Sequence, residues 1–179
     1  MVNVRQIKSN SDKVQFRKPE SEDGAAIWEL IASCKPLDEN SMYCNLIQCD
    51  HFRDTCILAE IDGQPVGWIS GYVLPSDSTT FFVWQVAVST KARGMGLAKR
   101  MLEKLLARDI CNSVTRMQTT ITKDNEASWA LFRSFADAQD AELDHEAHFE
   151  SDIHFQGEHA TEHMVTITLP EAETLNAVA

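Results

Sequence analysis

Lys91, Ala92, Arg93, Gly94, Met95, Gly96, Leu97 and Ala98 form a basic, glycine-containing run between an apolar stretch and an amphipathic one. The preceding residues, Phe81 to Val88, are rich in β-branched and aromatic side chains and read as a strand. Those that follow place Leu97, Met101, Leu102, Leu105 and Leu106 along one helical face, with Lys99, Arg100, Glu103, Lys104 and Arg108 largely on the other. A glycine turn that opens a helix presents unpaired backbone N–H groups at the positive end of the helix dipole, and this favours a phosphate or pyrophosphate. Gly94 and Gly96 allow close approach of the backbone, and Lys91 and Arg93 add charge. No Gly-Lys-Ser/Thr ends the run and it lacks the three-glycine dinucleotide spacing, so neither of those loops is present.

Two further segments carry polar chemistry. Pro36 to Tyr43 gathers carboxylates, an amide and a phenol where a helix begins, and His154 to His163 is an acidic, histidine-rich stretch that reads as a late loop. Between them, strand alternation places Trp84, Val86 and Val88 on one face, so the Trp84 ring can border a pocket. Structural alternatives stand beside these readings. Asp38 suits a helix-capping loop, Tyr43 and Trp84 suit surface or core packing, and Glu158 and His159 suit a solvated loop. The histidines at 145, 148, 154, 159 and 163 reproduce no zinc spacing, and no metal is expected.

The elements that must position these groups follow from pattern. A short strand is expected around Phe16, then a helix from Ala25 to Ser33 with Ile27, Trp28, Leu30 and Ile31 as its apolar face. Asn40 or Ser41 can cap a second helix running to about Gln48. Cys56 to Ile61 and Val66 to Tyr72 read as strands joined by Asp62-Gly63, with a turn over Pro75 to Ser78 before the central strand. Met117 to Thr122 and Met164 to Leu169 read as strands, whereas periodicity is weak from Ala136 to Thr161. Residues 1–14 and 171–179 read as flexible segments flanking one domain over 15–170.

The 179 residues suit one core, and 27 acidic against 16 basic side chains give a net charge of −11. Such an acidic chain is not expected to bind nucleic acid, and it draws cationic substrates. No stretch reaches the length of a membrane span and no signal-peptide core is visible, so a cytoplasmic location without membrane association is expected. The cysteines at 34, 44, 49, 56 and 111 are odd in number and form no Cys-x-x-Cys pair, consistent with reduced thiols.

The loop from Lys91 to Gly96 resembles the pyrophosphate loop of the GNAT acetyltransferases, Gln/Arg-x-x-Gly-x-Gly/Ala, with Lys91 at the Gln/Arg position. The run from Asn125 to Phe135 is similar to the family's next motif, Asn-x-x-Ala/Ser-x-x-Leu-Tyr/Phe. The resemblance implies an α+β GNAT (acyl-CoA N-acyltransferase) fold, with a mixed, mostly antiparallel sheet flanked by helices. It also implies acetyl-CoA as co-substrate. Val86, Ala87 and Val88 would serve the pantetheine arm and the acetyl carbonyl through the backbone, and Asn125, Ser128 and Phe132 would flank the thiol end. Phe132 stands where the family often has the Tyr that protonates the leaving thiolate, so that proton must come from elsewhere or the thiolate leaves without one.

A narrower resemblance covers residues 16–168. Ser33-Cys-x-Pro-Leu-Asp-x-Asn-Ser-x-Tyr43, Phe52-Arg-Asp54, Ser70-Gly-Tyr72, Trp84-Gln-Val-Ala-Val88, Thr119-Thr-Ile-Thr122 and Gly157-Glu-His159, with the two motifs above, look like the L-2,4-diaminobutyrate acetyltransferases of ectoine synthesis. This implies acetyl transfer to the 4-amino group of L-2,4-diaminobutyrate, and a homodimer. Asp38 and Glu158 then fit the ammonium groups, Trp84 and Tyr43 a cation–π contact or hydrogen bond, and Thr120 or Arg53 the carboxylate. Glu158, His159 and Tyr43 are the candidate catalytic groups, with Glu158, His159 or a water chain taking the proton. The competing readings are a GNAT enzyme acting on another small amine, a polyamine or an amino acid, and a non-catalytic acetyl-CoA-binding module.

Overall fold

Asp62 and Gly63 form the expected hairpin turn, both at positive φ, 51° and 75°. That combination matches the twist of the strands it joins. These are β2 (Ile57–Ile61) and β3 (Gln64–Leu74), and β3 turns back at Pro75-Ser76 into β4 (Asp77–Val88). With β1 (Gln15–Arg17) they make an antiparallel sheet in the order β1-β2-β3-β4. The computed structural model describes residues 13–35 and 37–170. Residues 1–12 of the expected N-terminal segment, Pro36, and the expected tail 171–179 lie outside the described residues.

The chain divides into two compact units, Met1–Ser113 and Val114–Ala179. In the first, α1 (Gly24–Ala32), α2 (Met42–His51) and α3 (Leu97–Leu106) accompany the sheet. Ile27, Leu30 and Ile31 of α1 bury themselves with Cys34, Cys49, Cys56, Leu58, Trp68 and Ala87. Three of the four residues of the expected apolar face are therefore core, while the fourth, Trp28, is only half-buried. On α3 the buried residues are Leu97, Met101, Leu102 and Leu105. Gly67 of β3 lets this helix approach, because a Cβ there would lie 2.8 Å from the Met101 Sδ and 3.0 Å from the Leu97 Cδ2. Phe16 of β1 lies under the charged ends of Arg100 and Lys104, which sit 5.0 and 5.1 Å from its ring centroid.

Arg17 ties β1 to β2 and to the start of α1. Its guanidinium donates to both oxygens of Glu60 at 2.8 Å and to both oxygens of Asp23 at 2.6 and 2.7 Å. The Arg17 hydrogen bonds hold the Asp23 carboxyl below the usual carboxylate range, against the opposing effect of burial.

The β3–β4 ladder is interrupted once near the middle of β4. Ser70 pairs with Gln85 and Gly71 with Val83, so Trp84 is skipped. Gly71 is required there, since a Cβ would come within 2.7 Å of the Phe81 ring and of the Phe82 carbonyl. An extra residue of this kind bends a strand and re-aims its side chains.

The second unit holds β5 (Arg116–Thr122), α4 (Glu126–Ala138), β6 (Glu142–Phe149), the short α5 (Ser151–His154) and β7 (Glu162–Thr168). Its strands are antiparallel in the order β5-β7-β6. In β7, His163, Val165 and Ile167 are buried in strict alternation. Helix α4 buries Trp129, Phe132, Phe135 and Ala136. Strand β6 was not expected from the sequence: almost every residue in it is exposed, so no apolar alternation marks it. Elsewhere the departures are small. Helix α2 continues past Gln48 to His51, and β7 begins two residues before Met164 because a histidine occupies its first buried position.

Candidate active site

Strand β4 runs into the glycine loop through a capped turn. The Ser89 hydroxyl accepts from the Lys91 N–H at 3.4 Å, and the Ser89 carbonyl accepts from the Ala92 N–H at 2.9 Å. The chain then reaches Gly94 at φ 76° and Gly96 at φ 63°, the latter serving as the cap of α3. Few side-chain-bearing residues adopt these left-handed angles. The backbone N–H of Arg100 donates to the Gly96 carbonyl at 3.1 Å, so the amides of Leu97, Ala98 and Lys99 lie in the open first turn. A Cβ at Gly94 or at Gly96 would meet nothing within 4 Å. The loop is therefore an open cradle of N–H groups at a helix N-terminus, with Lys91 and Arg93 exposed beside it. Those features fit the pyrophosphate of acetyl-CoA. Ala92 and Leu97 bury their side chains, so only their backbone can serve such a ligand. Val86, Val88, Met95 and Ala98 are half-buried, and Ala87 belongs to the core.

The loop that carries Asp38 is joined to β4 through Gln85. Its amide nitrogen donates to the Asp38 carbonyl at 2.8 Å, while its amide oxygen accepts from Asn40 Nδ2 at 3.1 Å. Asn40 is held further by Trp28, whose indole N–H donates to its carbonyl at 3.0 Å. The loop carrying Asp38 is thus laced to the residue that follows Trp84. Ser41, rather than Asn40, caps α2, accepting from the Cys44 N–H at 3.1 Å. Tyr43 in the first turn of α2 is 71% exposed, and Trp84 is 48% exposed, so neither ring is a core residue. Trp84 meets the edge of Tyr72 at 6.5 Å, and Tyr72 packs on Phe82 at 5.4 Å and Phe52 at 6.3 Å. Arg53 is exposed on the turn after α2. Sequence reasoning missed the parts played by Gln85 and Phe82. Their partners are far along the chain, and only the strand pairing reveals them.

In the second unit Asn125 caps α4, its side chain accepting from the Ser128 N–H at 3.1 Å. Trp129 donates to the Thr122 carbonyl at 3.1 Å and so fixes the passage from β5 into α4. Thr120 is half-buried while its neighbour Thr119 is buried, as strand alternation requires. Phe132 is 2% exposed. Glu158 is exposed in a tight loop in which Gln156 and Gly157 both take positive φ. His159 Nδ1 lies 2.8 Å from the Ala160 carbonyl, its ring packs on Phe155 at 4.7 Å, and Nε2 is 4.0 Å from a Glu162 oxygen.

No thiol is placed as a nucleophile. Burial pushes Cys49 and Cys56 up to about 12 and Cys111 up to about 11, and raises Cys44 as well. All five cysteines are free. Among the described residues no group of three or more His, Cys, Asp or Glu could hold a metal, and no helix is long and apolar enough to cross a membrane.

Residues 24–136 match the model of the acetyltransferase (GNAT) family. The chain is similar to L-2,4-diaminobutyric acid acetyltransferase of Methylotuvimicrobium alcaliphilum, 46% identical over 154 residues, which cover 86% of this chain and 90% of that one. It is 47% identical over 153 residues to the enzyme of the same name from Halomonas elongata, covering 85% of this chain and 79% of that one. Among solved structures it resembles diaminobutyrate acetyltransferase EctA from Paenibacillus lautus in complex with its substrate L-2,4-diaminobutyric acid and coenzyme A. The TM-score is 0.83 at 37% identity, over 87% of this chain and 95% of that one. Ard1 from Thermoplasma volcanium, at 14% identity and TM-score 0.68, shares the fold alone.

Proposed function

We propose, for a chain that belongs to the GNAT family and within it to the L-2,4-diaminobutyric acid acetyltransferases, direct transfer of acetyl from acetyl-CoA to the 4-amino group of L-2,4-diaminobutyrate. The product is N-4-acetyl-L-2,4-diaminobutyrate, in ectoine biosynthesis. The observation that carries this is the likeness to the Paenibacillus lautus protein, which was solved with that amino acid and coenzyme A. An open glycine cradle at the end of β4 supports the coenzyme half of the reading. The name shared by the relatives favours diaminobutyrate over a polyamine, and an enzyme over a binding module.

The residues have separate tasks. Gly94, Gly96 and the first turn of α3 hold the pyrophosphate, with Lys91 and Arg93 adding positive charge. Acetyl-CoA supplies an activated thioester. Asp38 and Glu158 take the two ammonium groups, Trp84 and Tyr43 give aromatic contacts, and Thr120 or Arg53 serves the carboxylate. The 4-ammonium must lose a proton before its nitrogen attacks; Glu158 or His159 accepts it, directly or through water. As the C–N bond forms and the C–S bond breaks, the amine's second proton is lost. Phe132 has no proton to give, so the departing thiolate is protonated by water or leaves as the anion. The high thiol pKa values support transfer without an acetyl-cysteine.

The family model runs across the boundary between the two units, which supports reading 15–170 as one acetyltransferase domain. The enzyme is further proposed to be a cytoplasmic homodimer that binds neither nucleic acid nor membrane. The test of function is product analysis. Mass spectrometry and proton NMR of the product from acetyl-CoA and L-2,4-diaminobutyrate should show one acetyl group on the 4-nitrogen. Acetylation mainly at the 2-nitrogen, or faster turnover of a simple diamine, would overturn the reading.

A further inference from the structure

Glu158 and His159 sit in a segment that packing does not hold. None of residues 151–160 is buried, and Glu158 itself is exposed. Where burial contributes so little, hydrogen bonds must set the position of the backbone.

Those bonds form a relay that starts at one hydroxyl. Thr161 Oγ1 accepts from the Ser151 N–H at 3.0 Å, one of the amides that open α5. The Ser151 carbonyl accepts in turn from the Phe155 N–H at 3.1 Å and from the Gly157 N–H at 3.0 Å. The Phe155 carbonyl accepts from the Glu158 N–H at 2.9 Å, and the Phe155 ring packs on the His159 ring at 4.7 Å. Each link places the next, and the last places both Glu158 and His159. The anchor of the relay is firm, because Thr161 leads directly into β7, the middle strand of the order β5-β7-β6. That strand pairs with a neighbour on each side. The Glu150 N–H, by contrast, donates to His154 Nδ1 at 2.8 Å, which ties the short helix only to itself. The Thr161 bond spans ten residues and closes the whole segment into a ring fixed to the sheet.

We propose that Thr161 is a positioning residue for acetyl transfer: its hydroxyl fastens the segment 151–159 to β7 and so aims Glu158 and His159 at the acceptor amine. The inference rests on the proposed function, from which the roles of Glu158 and His159 are taken. Thr161 acts only through those two groups.

The test compares Thr161→Val, which keeps the shape and removes the hydroxyl, with Thr161→Ser, which keeps the hydroxyl. For Thr161→Val we expect kcat/KM for L-2,4-diaminobutyrate to fall about tenfold. Acetyl-CoA affinity by calorimetry should stay within about twofold of the parent, and Thr161→Ser should restore kcat/KM to the same margin. In a protein already carrying Glu158→Ala and His159→Ala, adding Thr161→Val should change the residual rate less than about twofold, which a general loss of folding would not give. Hydrogen exchange of the Ser151 amide, read by NMR of the whole chain without substrate, should be about tenfold faster in Thr161→Val.

An acetyl-CoA affinity that falls as far as kcat/KM, a full loss repeated in the double-alanine protein, or Ser151 exchange indifferent to the hydroxyl overturns the assignment. Parent turnover with unchanged Thr161→Val kinetics removes the positioning role and leaves the function. A parent inactive on diaminobutyrate removes the function instead, and the exchange measurement still decides the bond between Thr161 and Ser151.

Discussion

The side-chain amide of Asn40 donates to the side-chain oxygen of Gln85 at 3.1 Å across 45 residues of sequence. Because the other end of Gln85 donates to the Asp38 carbonyl, one side chain on β4 sets the position of the loop that carries Asp38. Trp84 is the residue before it, skipped by the β3 ladder. Gln85 is thus the structural link between two acceptor candidates of the first unit.

Replacing Gln85 with Leu removes both bonds, at about 1 kcal/mol each. We expect roughly a tenfold or greater fall in kcat/KM for L-2,4-diaminobutyrate. Acetyl-CoA affinity by calorimetry should stay within about twofold of the parent, since no part of the glycine loop is touched. A loss of acetyl-CoA affinity equal to the loss in turnover would place Gln85 outside the acceptor site.

Asp38→Ala tests the proposed counter-charge for a substrate ammonium, whose loss is expected to cost about 1–3 kcal/mol. Steady-state kinetics should locate the loss in the acceptor dependence, with acetyl-CoA binding near normal. Full efficiency in a folded Asp38→Ala protein would move the ammonium site elsewhere.

The loop separates sterics from charge. Neither Gly94 nor Gly96 has an atom within 4 Å of its would-be Cβ, so Gly96→Ala meets no neighbour and carries only the backbone cost of φ 63°, about 1–2 kcal/mol. Gly96→Glu places a carboxylate beside the proposed pyrophosphate site. Acetyl-CoA affinity should therefore fall far more for Glu than for Ala at similar thermal stability. Equal effects of the two changes would mean that the loop matters only for folding.

Acid stability should reflect the Arg17–Asp23 pair. The Asp23 carboxyl is held below its unfolded value chiefly by the Arg17 hydrogen bond, so its contribution is present at neutral pH. It is lost as pH falls below the ordinary carboxylate range and through the folded value. Chemical denaturation from pH 7 to pH 3 should show a shallower decline for Arg17→Met than for the parent. Parallel curves would assign the acid limb to other groups.

Cysteine chemistry gives a test of direct transfer. With Cys49, Cys56 and Cys111 pushed up to about 12, 12 and 11, alkylation of the native protein at pH 7.5 should be slow at these thiols and should accelerate sharply in denaturant. Intact-mass analysis after incubation with acetyl-CoA alone should show no acetyl adduct. An adduct that disappears on adding acceptor would replace direct attack with a two-step route.

The local elements were legible wherever local chemistry decides them. Glycine at positions needing positive φ, the Asp62-Gly63 turn, the cap expected at Asn40 or Ser41 and the periodic apolar faces of α1 and α3 each depend on residues a few positions apart. Tertiary structure alone decided the remainder. Strand β6 is polar and exposed, so nothing in its own residues separates it from a loop; its pairing with β7 makes it a strand. The Gln85 bridge, the Tyr72 contact with Trp84 and the buried His163 join residues remote in sequence. A residue type and spacing can announce a helix start that binds an anion, because that site is built from consecutive backbone groups. An acceptor site is built from side chains on separate elements, and its geometry exists only once strand register has brought them together.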